Sequence, residues 1–230
     1  MTFPMPFIVP ANRPILPVTI EYAGNKASGD SGTSLTFTSV PLGAVDAKKD
    51  AFLSVHWRTN GPGGAANLTG VTLGGVSAAI LQQETQDYNS GYPGCGTALV
   101  RLPASGVTAG TIVLSFDQSG TNSGVVSVYR VANAADTPVQ MKKTRRGGSL
   151  GELSVTMAVP EEGAVLAQAT VANNSGMTFA SPVGRDYFRD SGITSLAGRH
   201  TVTVEDPSLL VKTSSGNVIF NGVLGAYVFR

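Results

Sequence analysis

A serine between aspartate and glycine, Ser31, is the residue whose type and setting come closest to covalent chemistry. Such a serine becomes a nucleophile only where a histidine accepts its proton and a carboxylate orients that histidine. Both histidines, His56 and His200, follow the serine, and His56 has no orienting carboxylate near it in sequence. Residues 29–32 are therefore interpreted as a flexible turn, and no catalytic residue is predicted.

The same two histidines are the first residues to consider as metal ligands. Neither has a second histidine or a cysteine at ligand spacing, so each is predicted to be a strand residue that faces solvent or an interface. Residues 117–124 carry oxygen-bearing side chains at alternating positions, which faintly resembles a calcium loop. They lack the closing bidentate glutamate, and Asp and Asn in turns usually bond their own backbone. We predict no metal and no cofactor, with calcium in this loop as the alternative.

Aromatic residues and a thiol complete the set of candidate groups. Tyr88, Tyr92, Tyr187 and Phe188 fall in stretches that read as loops, where they could form a platform for a sugar ring. The single cysteine, Cys95, cannot form an internal disulfide and is interpreted as a free structural thiol in a loop. A lone thiol of this kind is typical of a chain folded in a reducing cytoplasm.

The charge distribution limits the possible partners. The chain of 230 residues has a net charge of +1 and only 13% charged residues, so it lacks the basic face of a nucleic-acid-binding protein. The basic residues Lys142, Lys143, Arg145 and Arg146 are predicted to lie in a solvated loop, with contact to phosphate or an acidic neighbour as the alternative. No run of 18 or more apolar residues occurs, so no membrane insertion is predicted.

Strand periodicity dominates the chain. Leu53, Val55 and Trp57 alternate with polar residues, as expected for a strand with one face in a core. Two apolar segments flank Gly74-Gly75, a typical hairpin signal. Turn residues recur at roughly 8–15-residue intervals, which favours an all-β, jelly-roll-like antiparallel β-sandwich. Only residues 81–88 are predicted as a short helical turn.

An internal duplication divides the chain into two similar sandwich halves in tandem. Residues 34–41 and 152–160 each form a strand that ends at a proline, and residues 124–129 and 222–227 close the halves with a glycine, aliphatic residues and a tyrosine. Residues 112–117 are matched with residues 201–206. The predicted organisation is an N-terminal arm at 1–16, a first half at 17–140, a basic, glycine-containing linker at 141–150 and a second half at 151–230.

The N-terminal arm is the predicted docking element. Five prolines in the first 17 residues exclude a helix and favour an extended chain. Phe3, Phe7 and Ile8 lie among these prolines, outside any strand pattern. We expect these three residues to bind another chain, because prolines lower the entropy cost of ordering such a segment.

The order of strands and turns resembles that of β-sandwich structural proteins of tailed phages, prophages and gene transfer agents. Residues 96–100, residues 111–116 and the Val128-Tyr129-Arg130-Val131 segment carry the resemblance, although the glycine that commonly follows this Tyr-Arg pair is missing. The resemblance spans about residues 30–230. It implies a head decoration, fibre, spike or tail protein of a virion, made in the host cytoplasm, that contacts other virion proteins and forms homo-oligomers, with a trimer favoured.

Two functions are therefore expected from the sequence. The first is a non-enzymatic structural component of a phage-like virion, anchored by its arm. The alternative is a carbohydrate-binding β-sandwich module that recognises a host surface glycan. The alternative needs Tyr88, Tyr92, Tyr187 or Phe188 exposed as an aromatic platform, whereas the first function needs the arm to mediate assembly.

Overall fold

The structure is a computed structural model that describes residues 16–28, 31–46, 49–60, 64–87, 93–172, 176–190 and 193–230. Within these ranges the chain forms strands and turns, with no helix, and all the strand pairs are antiparallel. The predicted all-β antiparallel sandwich is confirmed, whereas the jelly-roll connectivity stays a prediction. The described part also contains no helix long and apolar enough to cross a membrane.

The first half is a two-layer sandwich. Its strands are β1 (Thr19–Ser28), β2 (Ser34–Pro41), β3 (Lys49–Thr59), β4 (Leu68–Leu73), β5 (Val76–Ser77), β6 (Ala79–Gln86), β7 (Gly94–Arg101), β8 (Ala109–Phe116) and β9 (Thr121–Ala132). One sheet has the order β1-β9-β3-β7-β6 and the other the order β2-β8-β4-β5. Leu53, Val55 and Trp57 point from β3 into the core between them, as their alternation predicts.

The second half uses fewer and longer strands. They are β10 (Gln140–Val159), β11 (Ala164–Val171), β12 (Thr178–Phe179), β13 (Gly184–Asp190), β14 (Thr194–Thr201) and β15 (Asp206–Phe229). Their order is β10-β15-β11-β14-β13, and β12 pairs with β15. The early part of β10 pairs with the end of β15, and its later part pairs with the start of β15. These two long strands therefore contribute to both layers around the second core.

The two halves repeat one strand order. The sheet β1-β9-β3-β7-β6 corresponds strand for strand to β10-β15-β11-β14-β13. The registers also agree, because Phe52 of β3 faces Tyr129 of β9 just as Leu166 of β11 faces Tyr227 of β15. One predicted match was wrong: the counterpart of β8 is the first part of β15, residues 206–214, and not residues 201–206.

Two segments differ from their predicted structure. Residues 141–150, predicted as a linker, belong to β10 and pair with β15, and the register shifts between Gly147 and Leu150. The glycines of this segment thus accompany an irregularity within a strand, a usual place for glycine in sheets. Residues 81–88 were predicted as a helical turn, but Ala79–Gln86 is edge strand β6, which pairs with β7. Sheet pairing overrides local preference in such a segment.

A third apolar cluster, here called the seam, joins the halves. It lies between the sheet of β3 and the layer of β11, so the molecule has four layers. Phe52 of the first half and Phe229 of the second meet there with ring centroids 4.8 Å apart. The buried seam residues are Val18, Ile20, Phe52, Leu99, Tyr129, Val131, Ala164, Leu166, Ala197, Tyr227 and Phe229.

Candidate functional site

A hydrogen-bonded group of polar residues joins the two halves. The Oγ of Ser54 is 2.9 Å from Nε2 of His56, and Nδ1 of His56 is 2.7 Å from Oγ1 of Thr170. Thr170 of β11 is the counterpart of His56 of β3. Thr170 pairs with Val223 of β15, and His56 pairs with Val125 at the equivalent position of β9. Equivalent residues of the two halves therefore meet at this point, as in a two-fold-related pair.

The burial of His56 determines its chemistry. Ser54, His56 and Thr170 are all 0% exposed. Loss of hydration on burial lowers the pKa of His56 to about 3, so the imidazole is neutral at neutral pH. The serine–histidine distance suits proton transfer, but the surrounding sheets separate the pair from solvent and from any substrate. Of the two surroundings predicted for His56, solvent and an interface, the structure shows an interface, and it lies between the two halves of the chain.

The free thiol lies beside this polar group. Cys95 is in strand β7, not in the predicted loop, and it is completely buried. Its S–H group points to the carbonyl oxygens of Thr170 and Asn221 at 3.7 and 3.6 Å. Burial raises the pKa of the thiol to about 12, which keeps it protonated and weakly reactive. This environment agrees with the interpretation of Cys95 as a structural thiol.

The two equivalent tyrosines are also buried in the seam. Tyr129 and Tyr227 are at most 1% exposed. The hydroxyl oxygen of Tyr227 accepts a hydrogen bond of 2.7 Å from Nε2 of Gln168, and burial raises the pKa of this tyrosine. The hydroxyl of Tyr227 therefore contributes a hydrogen bond at the seam.

The basic residues of β10 join the halves at one edge of the seam. The Nζ of Lys143 is 2.8 Å from one carboxylate oxygen of Glu84, and Nε of Arg145 is 3.4 Å from the other. The same two side chains donate hydrogen bonds to backbone carbonyls of β6, at Gln83 and Thr85. The basic residues are exposed, as predicted, but they lie in strand β10 and not in a loop. The alternative of an acidic neighbour is found for Lys143 and Arg145.

The aromatic residues proposed for glycan contact are only partly described. Tyr88 and Tyr92 lie outside the described residues. Tyr187, in β13, packs partly buried against the seam, and burial raises its pKa to about 12. The backbone of Phe188 lies in β13, opposite Leu196 of β14. Tyr187 and Phe188 are therefore strand residues and not loop residues.

The predicted docking residues Phe3, Phe7 and Ile8 also lie outside the described residues, but the point where the arm joins the body is described. Val18 is buried in the seam, and its N–H donates a 2.9 Å hydrogen bond to the carbonyl of Glu162 in the second half. Nδ2 of Asn133 donates another, also of 2.9 Å, to the carbonyl of Pro17. Both halves therefore hold the chain immediately after the arm.

A cavity of about 300 Å³ lies at the end of the first half where β3 begins and β7 ends. We call it the end cavity. Its walls are the segment before and at the start of β3, the segment 102–106 after β7, and the side chain of Arg130 from β9. Because Thr19 and Lys49 both pair with Ala132, the arm joins the body at this same end.

Arg130 is the residue that sequence reasoning missed. Only 6% of its surface is exposed, and its Nε donates a 2.6 Å hydrogen bond to the carbonyl of Leu42. Its Nη1 lies 3.5 Å from the carbonyl of Lys49. The sequence did contain a signal for this residue, because an arginine lies within the apolar run 124–131. Charged residues are rarely buried without a partner.

The other candidate sites give no metal centre within the described ranges. No group of three or more His, Cys, Asp or Glu residues is placed there to hold an ion. Asp117, in the loop considered for calcium, accepts hydrogen bonds from the backbone and side-chain nitrogens of Asn67, at 2.9 and 2.8 Å.

Comparisons with known proteins do not assign this arrangement to a family. A search of protein-family models found none that matches the chain. A search of curated proteins found no significant match.

Proposed function

We propose that the chain is a structural component of a phage-like particle and that its N-terminal arm attaches it to other copies or to other particle proteins. The observation that carries this proposal is the way the chain enters the body. Val18 and Ile20 are buried in the seam, and Val18 hydrogen-bonds across to the second half. A force applied to the arm is thereby transmitted to both halves at once.

The body has the properties of a rigid structural element. Four packed layers bury three large apolar clusters and one small one among the described residues. Strands β10 and β15 extend over 20 and 24 residues through both layers of the second half. Preformed, interlocked sheets lose little conformational entropy when they assemble. The Ser54–His56 pair, which could have suggested catalysis, contributes instead to the packing of the halves.

The test compares the solution mass of three proteins by light scattering: the full chain, a chain lacking residues 1–16, and a full chain with Phe3, Phe7 and Ile8 changed to Ser. A full chain with Thr2 and Asn12 changed to Ser is the matched control. We expect the full chain and the control to form an oligomer, and the truncated and apolar-depleted chains to be monomers. Four monomers, or four identical oligomers, would contradict assembly through the arm.

A further inference from the structure

The guanidinium of Arg130 carries a buried charge without a carboxylate partner among the described residues. No described ion pair includes Arg130, and its Nη2 atom makes no hydrogen bond within the described part of the chain. Two charged neighbours at the end cavity are already engaged, since Lys49 pairs with Glu21 at 2.6 Å and Asp50 with Arg101 at 3.0 Å. A buried charge left in this state is costly, which calls for an explanation.

The second half provides an internal comparison. Arg130 faces Ala51 in the first half, and at the equivalent position Val228 faces Val165. Val228 is a fully buried member of the second core. The same fold therefore accepts an apolar residue at this position, so the sheet itself does not require a guanidinium there.

Arg130 is one of the residues that line the end cavity. Its volume, about 300 Å³, is at the lower end of the range of small-molecule sites. Ser105 and the carboxylates of Asp46 and Asp50 also line it. The hydroxyl of Ser105 can hydrogen-bond to a ligand whose anionic group reaches Arg130.

We propose that the end cavity binds a small ligand through an oxyanion, a carboxylate or a phosphate, that pairs with Arg130. Arginine is suited to this role because its planar fork of N–H donors matches both groups. The remaining polar lining orients the body of the ligand, which has about the size of a monosaccharide. This site is independent of the proposed attachment through the arm and of the aromatic residues considered for glycan contact.

The test uses three sugars that differ in one group: D-glucuronate, D-glucose 6-phosphate and uncharged D-glucose. Each is titrated into the full chain and into Arg130→Gln, and binding is measured by calorimetry. Arg146→Gln, which removes an exposed arginine of β10, is the matched control. We expect one or both charged sugars to bind saturably, with affinity at least tenfold weaker in Arg130→Gln and unchanged in Arg146→Gln. Comparison of the two charged sugars identifies the preferred anion.

Three results would overturn the proposal: no saturable binding of either charged sugar, equal binding of glucose, or equal affinity in Arg130→Gln. A second variant covers the case in which Arg130→Gln does not fold. Gly106 lines the cavity, and a Cβ added there meets no atom within 4 Å, so Gly106→Trp leaves Arg130 intact while adding bulk to the cavity wall. In that case the NMR signal of the Arg130 Nε–Hε group tests the proposal in proteins that keep this arginine. A charged sugar must shift this signal in the wild-type protein, and the shift must be weaker in Gly106→Trp.

Discussion

Acidification is expected to destabilise the protein through one buried imidazole, that of His56. Its pKa falls from an ordinary 6.5 to about 3 on folding because burial removes the hydration of the charged form. The unfolded chain therefore binds a proton below pH 6.5 that the folded chain rejects until about pH 3. Stability is fully present above pH 6.5 and decreases as the pH falls between these two values.

The magnitude follows from the same shift. Each pH unit below the unfolded pKa costs about 1.4 kcal/mol for one proton, so a decrease from pH 7 to pH 5 removes about 2 kcal/mol of unfolding free energy. That is a large part of the 5–15 kcal/mol typical of folded domains. Carboxylates also begin to titrate in this range, so only the difference between matched variants measures the contribution of His56.

Urea unfolding at pH 7, 6 and 5 provides the assay, with the wild-type protein, His56→Gln and His200→Gln. Glutamine keeps a polar side chain at position 56 but takes up no proton, and His200 is a partly exposed histidine of β14 that serves as the control. We expect the wild type and His200→Gln to lose about 2 kcal/mol more than His56→Gln between pH 7 and pH 5. The same pH dependence in all three proteins would refute the reasoning.

Three further predictions concern the buried contact between the halves. Cys95, with a pKa raised to about 12, should not react with a thiol reagent at pH 8 in the folded protein and should react fully in urea; rapid reaction without denaturant would contradict its burial. Phe52→Ala removes a fully buried ring that packs on Phe229 and should cost about 3–5 kcal/mol in urea unfolding, whereas Val76→Ala, at an exposed position, should change stability by less than about 0.5 kcal/mol. In the wild-type protein, both halves should unfold in a single transition in urea. Two separate transitions would show that the seam does not couple the halves.

Much of the fold could be predicted from local patterns. The alternation at Leu53, Val55 and Trp57 identified the face of β3 that fills the first core. The similar closing segments at 124–129 and 222–227 identified β9 and the end of β15 as equivalent strands. These predictions succeeded because side chains alternate along every strand and a repeated pattern indicates a repeated unit.

The errors have a common origin in pairing between distant segments. The basic residues before Gly147 looked like a solvated linker, but they belong to a strand paired with β15 and contact Glu84 of the other half. Residues 81–86 contain no local signal of their partner strand β7. Pairing over long sequence separations is set by the available sheet edge, which local propensity does not reveal.

The sequence by itself determined that this protein is all-β, that it contains two similar halves and which residues share a strand face. Only the tertiary structure decided what covers each face. Ser54 and His56 form a polar face that would meet water on an isolated sheet, yet they are buried because the second half packs over them. Arg130 likewise became notable only when three observations were combined: no carboxylate among the described residues pairs with it, its counterpart Val228 is apolar, and it lines a cavity. The periodicity of the sequence predicts the face of the strand on which a side chain lies. The burial, the pKa and the chemistry of that side chain depend on the neighbours that folding brings to it.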